Sequence, residues 1–263
     1  MTQLLTITIG GLIAGTLAGF LGIGGGTVLV PLLVALGYEP VQAVATSSLS
    51  IVITAISGTL QNWRMGYLNW TQVAGIGFPA ILTAQFGAEL SSRIPRNTLL
   101  IAFGCLLLFN VYLIQVRQKI SSQQKARESA TNLDQLSPEN PQPFNPLMSQ
   151  VFTGSAAGIL AGLFGVGGGI IMVPLQILLL GTSIKVAIQT SLGVIVITAI
   201  SATVGHALRE NVLWVPGILL GLGGLTGAQV STRLLPKLPD DIITLAFRSL
   251  LLILAIYIFW QAT

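Results

Sequence analysis

Apolar stretches separated by short polar turns run through the chain, and their order occurs twice. Leu4 to Leu21 is apolar and rich in small residues (Gly10, Gly11, Gly15, Ala18, Gly19), which let membrane helices approach closely. It ends at Gly22-Ile23-Gly24-Gly25-Gly26. Each glycine in a helix costs about 1 kcal/mol relative to alanine, so three in a row predict an interruption. Thr27 to Leu36 follows, and as a helix it would rise only about 15 Å, half the hydrocarbon thickness. That length predicts a re-entrant or half helix, with Pro31 near its second turn, where a lost backbone donor matters less.

Val41 to Leu60, Thr71 to Leu90 and Thr98 to Val116 are each long enough to span. The first of these opens on the hydroxyl cluster Thr46, Ser47, Ser48 and Ser50. A loop is expected over Gln61 to Asn69, where Trp63, Arg64, Tyr67 and the adjoining Trp70 form an interfacial signature. A turn is expected over Arg93 to Asn97. From Arg117 to Asn145 polar residues, Pro138, Pro141, Pro143 and most charges of the first half replace the apolar runs, which predicts a solvated linker.

Beyond it the first pattern returns. At an offset of 143, Gly154 to Leu179 is identical to Gly11 to Leu36 at 14 of 26 positions, including the glycines and the proline. Ile51 to Ser57 then equals Ile195 to Ser201 at an offset of 144, with Thr46-Ser47 on Thr190-Ser191 and Trp70 on Trp214. Gly87 to Arg93 also matches Gly227 to Arg233 at an offset of 140. The chain therefore divides into a first transmembrane repeat over 1–116, a polar linker over 117–146 and a second transmembrane repeat over 147–263.

Two topologies follow from the duplication. If the glycine-broken segment counts as one crossing, the halves face the same way and the basic residues split six against five. If it goes in and comes back, each half crosses an odd number of times. The split is then eight against three, with Lys185, Arg233 and Lys237 joining the linker side. The positive-inside rule prefers the second arrangement, so we expect inverted repeats with a cytoplasmic linker and both termini outside. Inverted repeats with interrupted helices at matching places are a common plan of secondary transporters, which bind substrate near the midplane.

Composition narrows the class. With 52% hydrophobic and 8% charged residues and a mean hydropathy of +0.83, the chain is an all-α polytopic membrane protein. No Lys or Arg precedes Arg64, so the first apolar stretch is expected to remain as a structural segment rather than be cleaved as a signal. The twelve basic residues are scattered among loops and orient the chain in the bilayer; no nucleic-acid partner is implied. Cys105 and His206 are each the single residue of their kind, which disfavours a disulfide, a thiolate metal cluster and a histidine-based enzyme. No glycine-lysine phosphate loop marks an intrinsic ATPase, and no cofactor is implied.

The glycine pattern, the short apolar run with its proline and the Thr-Ser helix, all duplicated, resemble the sulfite exporter TauE/SafE family of membrane permeases over nearly the whole chain outside the linker. The resemblance implies a non-enzymatic permease that moves a sulfur-containing anion, such as sulfite, thiosulfate or an organosulfonate, across the bacterial inner membrane.

The residues themselves suit an anion. Thr27 and Ile170 follow the breaks, at half-helix N-termini whose unpaired N–H groups and positive dipole end favour negative charge. Gly24, Gly25, Gly26, Gly167, Gly168 and Gly169 can form concave amide nests, and Thr46, Ser47, Thr190 and Ser191 can add hydroxyl donors. These twelve residues are the candidate substrate site. Glycines also serve close packing, and membrane hydroxyls also bond their own helix. Glu89 reads as an interfacial ion pair with Arg93, and its repeat partner is Gln229. His206, opposite Asn62 in the first half, reads as an interfacial polar residue. Arg248 can snorkel or face a cavity, while Gln85 and Gln176 can line a cavity or join helices. A cation or metal transporter and a non-transporting assembly protein are the competing readings, and the former calls for carboxylates, His or Cys at depth.

Overall fold

The structure, a computed structural model, describes residues 2–109, 111–112 and 145–262. The expected linker over 117–146 falls almost entirely outside them. The described residues form helices and no strand: α1 (Thr2–Leu21), α2 (Gly26–Ala35), α3 (Pro40–Arg64), α4 (Trp70–Arg93), α5 (Arg96–Phe109), α6 (Pro146–Phe164), α7 (Gly169–Leu180), α8 (Ile184–Ala207), α9 (Trp214–Leu234) and α10 (Asp240–Ala262). Helix starts follow local chemistry. Pro40 and Pro146 sit in the first turns of α3 and α6, and Asn69 and Ser183 cap α4 and α8 through their side chains.

Five helices, α3, α4, α6, α8 and the Asp241–Trp260 stretch of α10, are long and apolar enough to cross a membrane, and the chain is a multi-pass membrane protein. The most enclosed are α8 and α3, whose apolar windows are 78% and 67% buried. Large apolar side chains face outward, as with Phe78, Leu82 and Phe86 at four-residue spacing along α4. The hydroxyls of Thr46, Ser47, Ser48, Ser50 and Thr54 face inward. Lipid accepts the apolar exterior, and interior carbonyls accept hydrogen bonds from Ser47, Ser48 and Thr54, whereas the Ser50 hydroxyl has no partner.

Small residues set the helix contacts. In α1 a Cβ on Gly11 or Gly15 would collide with the backbone of Leu220 or Gly224 of α9, and one on Gly19 with the Ser231 side chain. In α6, Gly154, Gly158 and Gly162 meet the backbone of Ile76, Ala80 and Ala84 of α4 in the same way. The rising numbers show that α1 runs parallel to α9, and α6 to α4. Contacts of Gly217 with Leu49, Gly221 with Ile53 and Thr232 with Gly58 make α9 parallel to α3. Between α3 and α8 the order reverses. Thr46, early in α3, accepts a hydrogen bond from Leu213 beyond the end of α8, whereas Thr190, early in α8, reaches Gln72 just beyond the end of α3. These corresponding helices run in opposite directions.

The breaks turn the chain back on itself. Gly25 lies against Ala14, and Leu32 of α2 lies against Gly10, so α2 returns alongside α1. At the first break the chain reverses direction.

Two boundaries and one pairing differ from the sequence reading. α3 runs to Arg64 and absorbs the first part of the expected loop, because Gln61 and Asn62 face the interior, with Asn62 fully buried. α4 likewise extends to Arg93. The match of Gly87–Arg93 to Gly227–Arg233 is one helical turn away from the spatial correspondence. Gly158 meets Ala80 and Gly15 meets Gly224, which sets an offset of 144 in α4 and α9. Four residues are close to one turn, so a shift of that size leaves the small-residue face in line.

Candidate functional site

The two glycine breaks meet each other. Positive φ angles at Gly22, Gly24 and Gly25 (+66°, +75° and +83°) and at Gly165, Gly167 and Gly168 (+63°, +74° and +77°) produce the same turn twice. Side chains with a Cβ rarely adopt that conformation, which is why this sequence folds so at these places. The turns deliver Gly26 and Gly169 as the first residues of α2 and α7. A Cβ on Gly26 would strike the Gly165 carbonyl, and one on Gly169 the Gly22 carbonyl. Ile51 and Ile195, from the middles of α3 and α8, flank both Gly24 and Gly167.

Serines cross between halves to hold this contact. Ser47 of α3 donates to the Gly165 carbonyl at 2.6 Å, and Ser191 of α8 donates to the Gly22 carbonyl at 2.8 Å. Each serine thus fastens the other half's break. Thr198 adds a bond to the Gly167 carbonyl at 2.9 Å, while its counterpart Thr54 bonds the Ser50 carbonyl in its own helix. The hydroxyl protons of Ser47 and Ser191 therefore point at carbonyls in this arrangement. Thr46 and Thr190 lie away from the breaks, toward Leu213 and Gln72.

Thr27 and Ile170 are the second residues of α2 and α7, and both are fully buried. Val28 and Leu29 donate to the Gly25 carbonyl, so the amides of Gly26 and Thr27 have no acceptor within the helix. The Thr27 hydroxyl has no hydrogen-bond partner. A buried hydroxyl left unpaired costs about 1–3 kcal/mol, and Thr27 shares that state with Ser50, which adjoins Ile51 in α3. Ile170 at the corresponding place has nothing to offer an anion except its amide. The centre is therefore symmetric in backbone and asymmetric in side chains. A small cavity lined by Val30, Pro40, Val44, Leu99, Leu100, Phe103 and Phe164 is purely apolar and offers an anion nothing.

Around the centre lie groups that sequence reasoning named without partners. Gln85 donates to the Ser201 carbonyl at 2.7 Å and Ser201 to the Ile81 carbonyl. At corresponding places, Gln229 donates to the Ser57 carbonyl at 3.0 Å and Ser57 to the Leu225 carbonyl. Both glutamines join helices. Gln176 of α7 is buried, with its amide 3.5 Å from the Ala187 carbonyl and its Oε1 without a partner. Glu89 pairs with Arg93, as the i,i+4 spacing predicts, and also with Arg209 in the turn after α8, which the spacing does not reveal. His206, in the last turn of α8, is fully buried among the helices, with Nε2 at 2.9 Å from the Gly162 carbonyl. Arg248 is partly buried on α10.

Comparison with known proteins places this geometry in context. The family model described as sulfite exporter TauE/SafE matches residues 7–258. The probable membrane transporter protein YunE of Bacillus subtilis is 26% identical over 260 residues, covering 95% of each chain. YdhB of the same organism, also a probable membrane transporter protein, is 29% identical over 85% of this chain and 88% of its own. A probable membrane transporter protein of Haemophilus influenzae is 32% identical over 72% of this chain and 68% of its own.

Proposed function

The chain belongs to the sulfite exporter TauE/SafE family of membrane transporters, and from that premise we propose that it carries a small sulfur-containing anion across the bacterial inner membrane. Sulfite, thiosulfate and organosulfonates are the substrate class, and transport is secondary or facilitated. The anion binds where the two glycine breaks meet. Thr27 carries this reading, as a fully buried hydroxyl without a partner at a half-helix N-terminus that abuts the other half's break. Amides of Gly24, Gly25, Gly26, Gly167, Gly168 and Gly169 supply the remaining donors with those of Thr27 and Ile170. Donors of this kind are weak and numerous, which lets an ion leave as well as enter.

The repeats, 1–116 and 147–263, are inverted with respect to the membrane, with the 117–146 linker in the cytoplasm and both termini outside. Support comes from the opposite directions of α3 and α8 and from the return of α2 along α1. Ser47 and Ser191 hold the breaks together in the closed arrangement. Their release on one side opens the centre to that side, after which their hydroxyls face the anion. Thr46 and Thr190, early in α3 and α8 and beside Ser47 and Ser191 in the chain, belong to the same route.

The test is thermal stabilisation of purified protein by sulfite, thiosulfate, sulfate, an organosulfonate and a divalent metal. Gly24-Gly25-Gly26 is compared intact and replaced by alanine, with folding checked separately. Stabilisation by a sulfur anion that vanishes in the folded variant supports the site. Stabilisation that persists moves the site elsewhere, and a response to the metal alone replaces the anion with a cation.

A further inference from the structure

Among the described residues, one buried titratable group has no part in the anion site. His206 is the chain's single histidine, fully buried near the end of α8 between α4 and α6. Its Nε2 faces the Gly162 carbonyl at 2.9 Å, so the neutral ring carries its proton on Nε2. Nδ1 is then a bare acceptor, and it has no partner. Gly162 stands three residues ahead of Gly165, where the second break begins. The ring therefore holds the end of α6 at the point where it enters the site. In the first half the same position is Asn62, also fully buried, with neither its amide nitrogen nor its oxygen partnered. An amide cannot titrate, so any proton response belongs to the second half alone.

The charged groups around His206 are few. Glu89 and Arg93 approach from α4, and Arg209 and Glu210 follow it on its own chain, with Arg209 paired to Glu89. Helices α1, α6 and α7, which also pack against α8, carry no titratable residue, and Arg64 of α3 lies toward the opposite end of α8. We propose that His206 is a proton-binding site that couples pH to the second glycine break. This deepens the reading of the chain as an anion transporter and rests on it only for its consequence. The proton comes from water on the face where Glu89 and Arg209 lie, binds Nδ1, and returns to water when the ring is again neutral. An imidazolium carries two N–H donors, and the closed arrangement has an acceptor for one of them. Protonation therefore favours an arrangement in which the ends of α6 and α8 part and the break loosens.

Because there is one histidine, isotope-labelled histidine reports its protonation without ambiguity. The experiment follows the imidazole nitrogens by NMR in lipid bilayers from about pH 8 to about pH 3, with amide hydrogen exchange of residues 162–169 measured in parallel. The expected result is a change of the ring to imidazolium accompanied by about a fivefold or greater rise in exchange, flattened in His206→Asn, which copies the first half. A ring that stays neutral throughout, a ring that titrates without altering exchange, or an equal pH response in His206→Asn overturns the proposal. The wild-type titration decides even if the variant does not fold. Thiosulfate stabilisation in the same samples separates the two readings: its absence beside a pH-dependent break defeats the anion site and leaves the proton site standing.

Discussion

Gly26→Ala, Gly25→Ala and Gly37→Ala separate the ways in which these glycines matter. Gly37 has φ +89° and nothing within 4 Å of an added Cβ, so alanine there costs only the left-handed backbone, about 1–2 kcal/mol. Gly26 has no positive φ, but its Cβ would strike the Gly165 carbonyl and lie 2.6 Å from the Val166 Cα and 2.8 Å from the Ile51 Cδ1. Two of these obstacles are backbone, so the breaks must separate, at about 1–3 kcal/mol for overpacking. Alanine's better helix propensity offsets up to about 1 kcal/mol of that. Gly25 combines φ +83° with a Cβ 2.9 Å from the Ala14 carbonyl oxygen, which brings both costs. The assay is thermal unfolding of purified protein with and without anion. Gly37→Ala should lower stability and keep the anion response, whereas Gly26→Ala should lose the response. Gly169→Ala should behave as Gly26→Ala does, because its Cβ meets the Gly22 carbonyl and comes 2.8 Å from the Ile23 Cα. A Gly26→Ala protein with wild-type stability and a full anion response would refute the contact between breaks.

Ser47→Ala and Ser191→Ala each leave a buried glycine carbonyl without its donor and should cost about 1–3 kcal/mol in unfolding measurements. If the breaks part as one body, the double variant costs less than the sum of the two. Gln85→Leu and Gln229→Leu remove matching interhelical hydrogen bonds and should each cost about 0.6 kcal/mol, with an upper bound of about 1.7 kcal/mol, in the same assay.

The hydrophobic pattern carried most of the fold because lipid makes it do so: a span must be apolar, and an interruption needs residues that tolerate one. The short runs after each break became α2 and α7, beginning at Gly26 and Gly169. What touches what was less legible. Nothing local marks Ser47 as the donor to Gly165, 118 residues away, since a hydroxyl bonded to its own helix reads the same in sequence. Gln61 and Asn62 look like loop residues because polarity indicates exposure in most chains, yet here the interior is the polar side. The four-residue slip in pairing α4 with α9 arose because residue identity rewards a local match, whereas packing conserves the face that meets α1 or α6.

The proposed site stands on Thr27, whose unpartnered hydroxyl donates to the anion while Ser47 and Ser191 are still engaged with the glycine carbonyls. Uptake of labelled thiosulfate into proteoliposomes by wild type and Thr27→Val tests it most directly, because valine keeps the shape and removes the hydroxyl. Wild type should take up thiosulfate saturably, with apparent affinity about tenfold weaker in the variant for the loss of one hydrogen bond to a charged ligand. Uptake with unchanged affinity in Thr27→Val would place the anion elsewhere, and no uptake of any sulfur anion by folded wild type would contradict the substrate class itself.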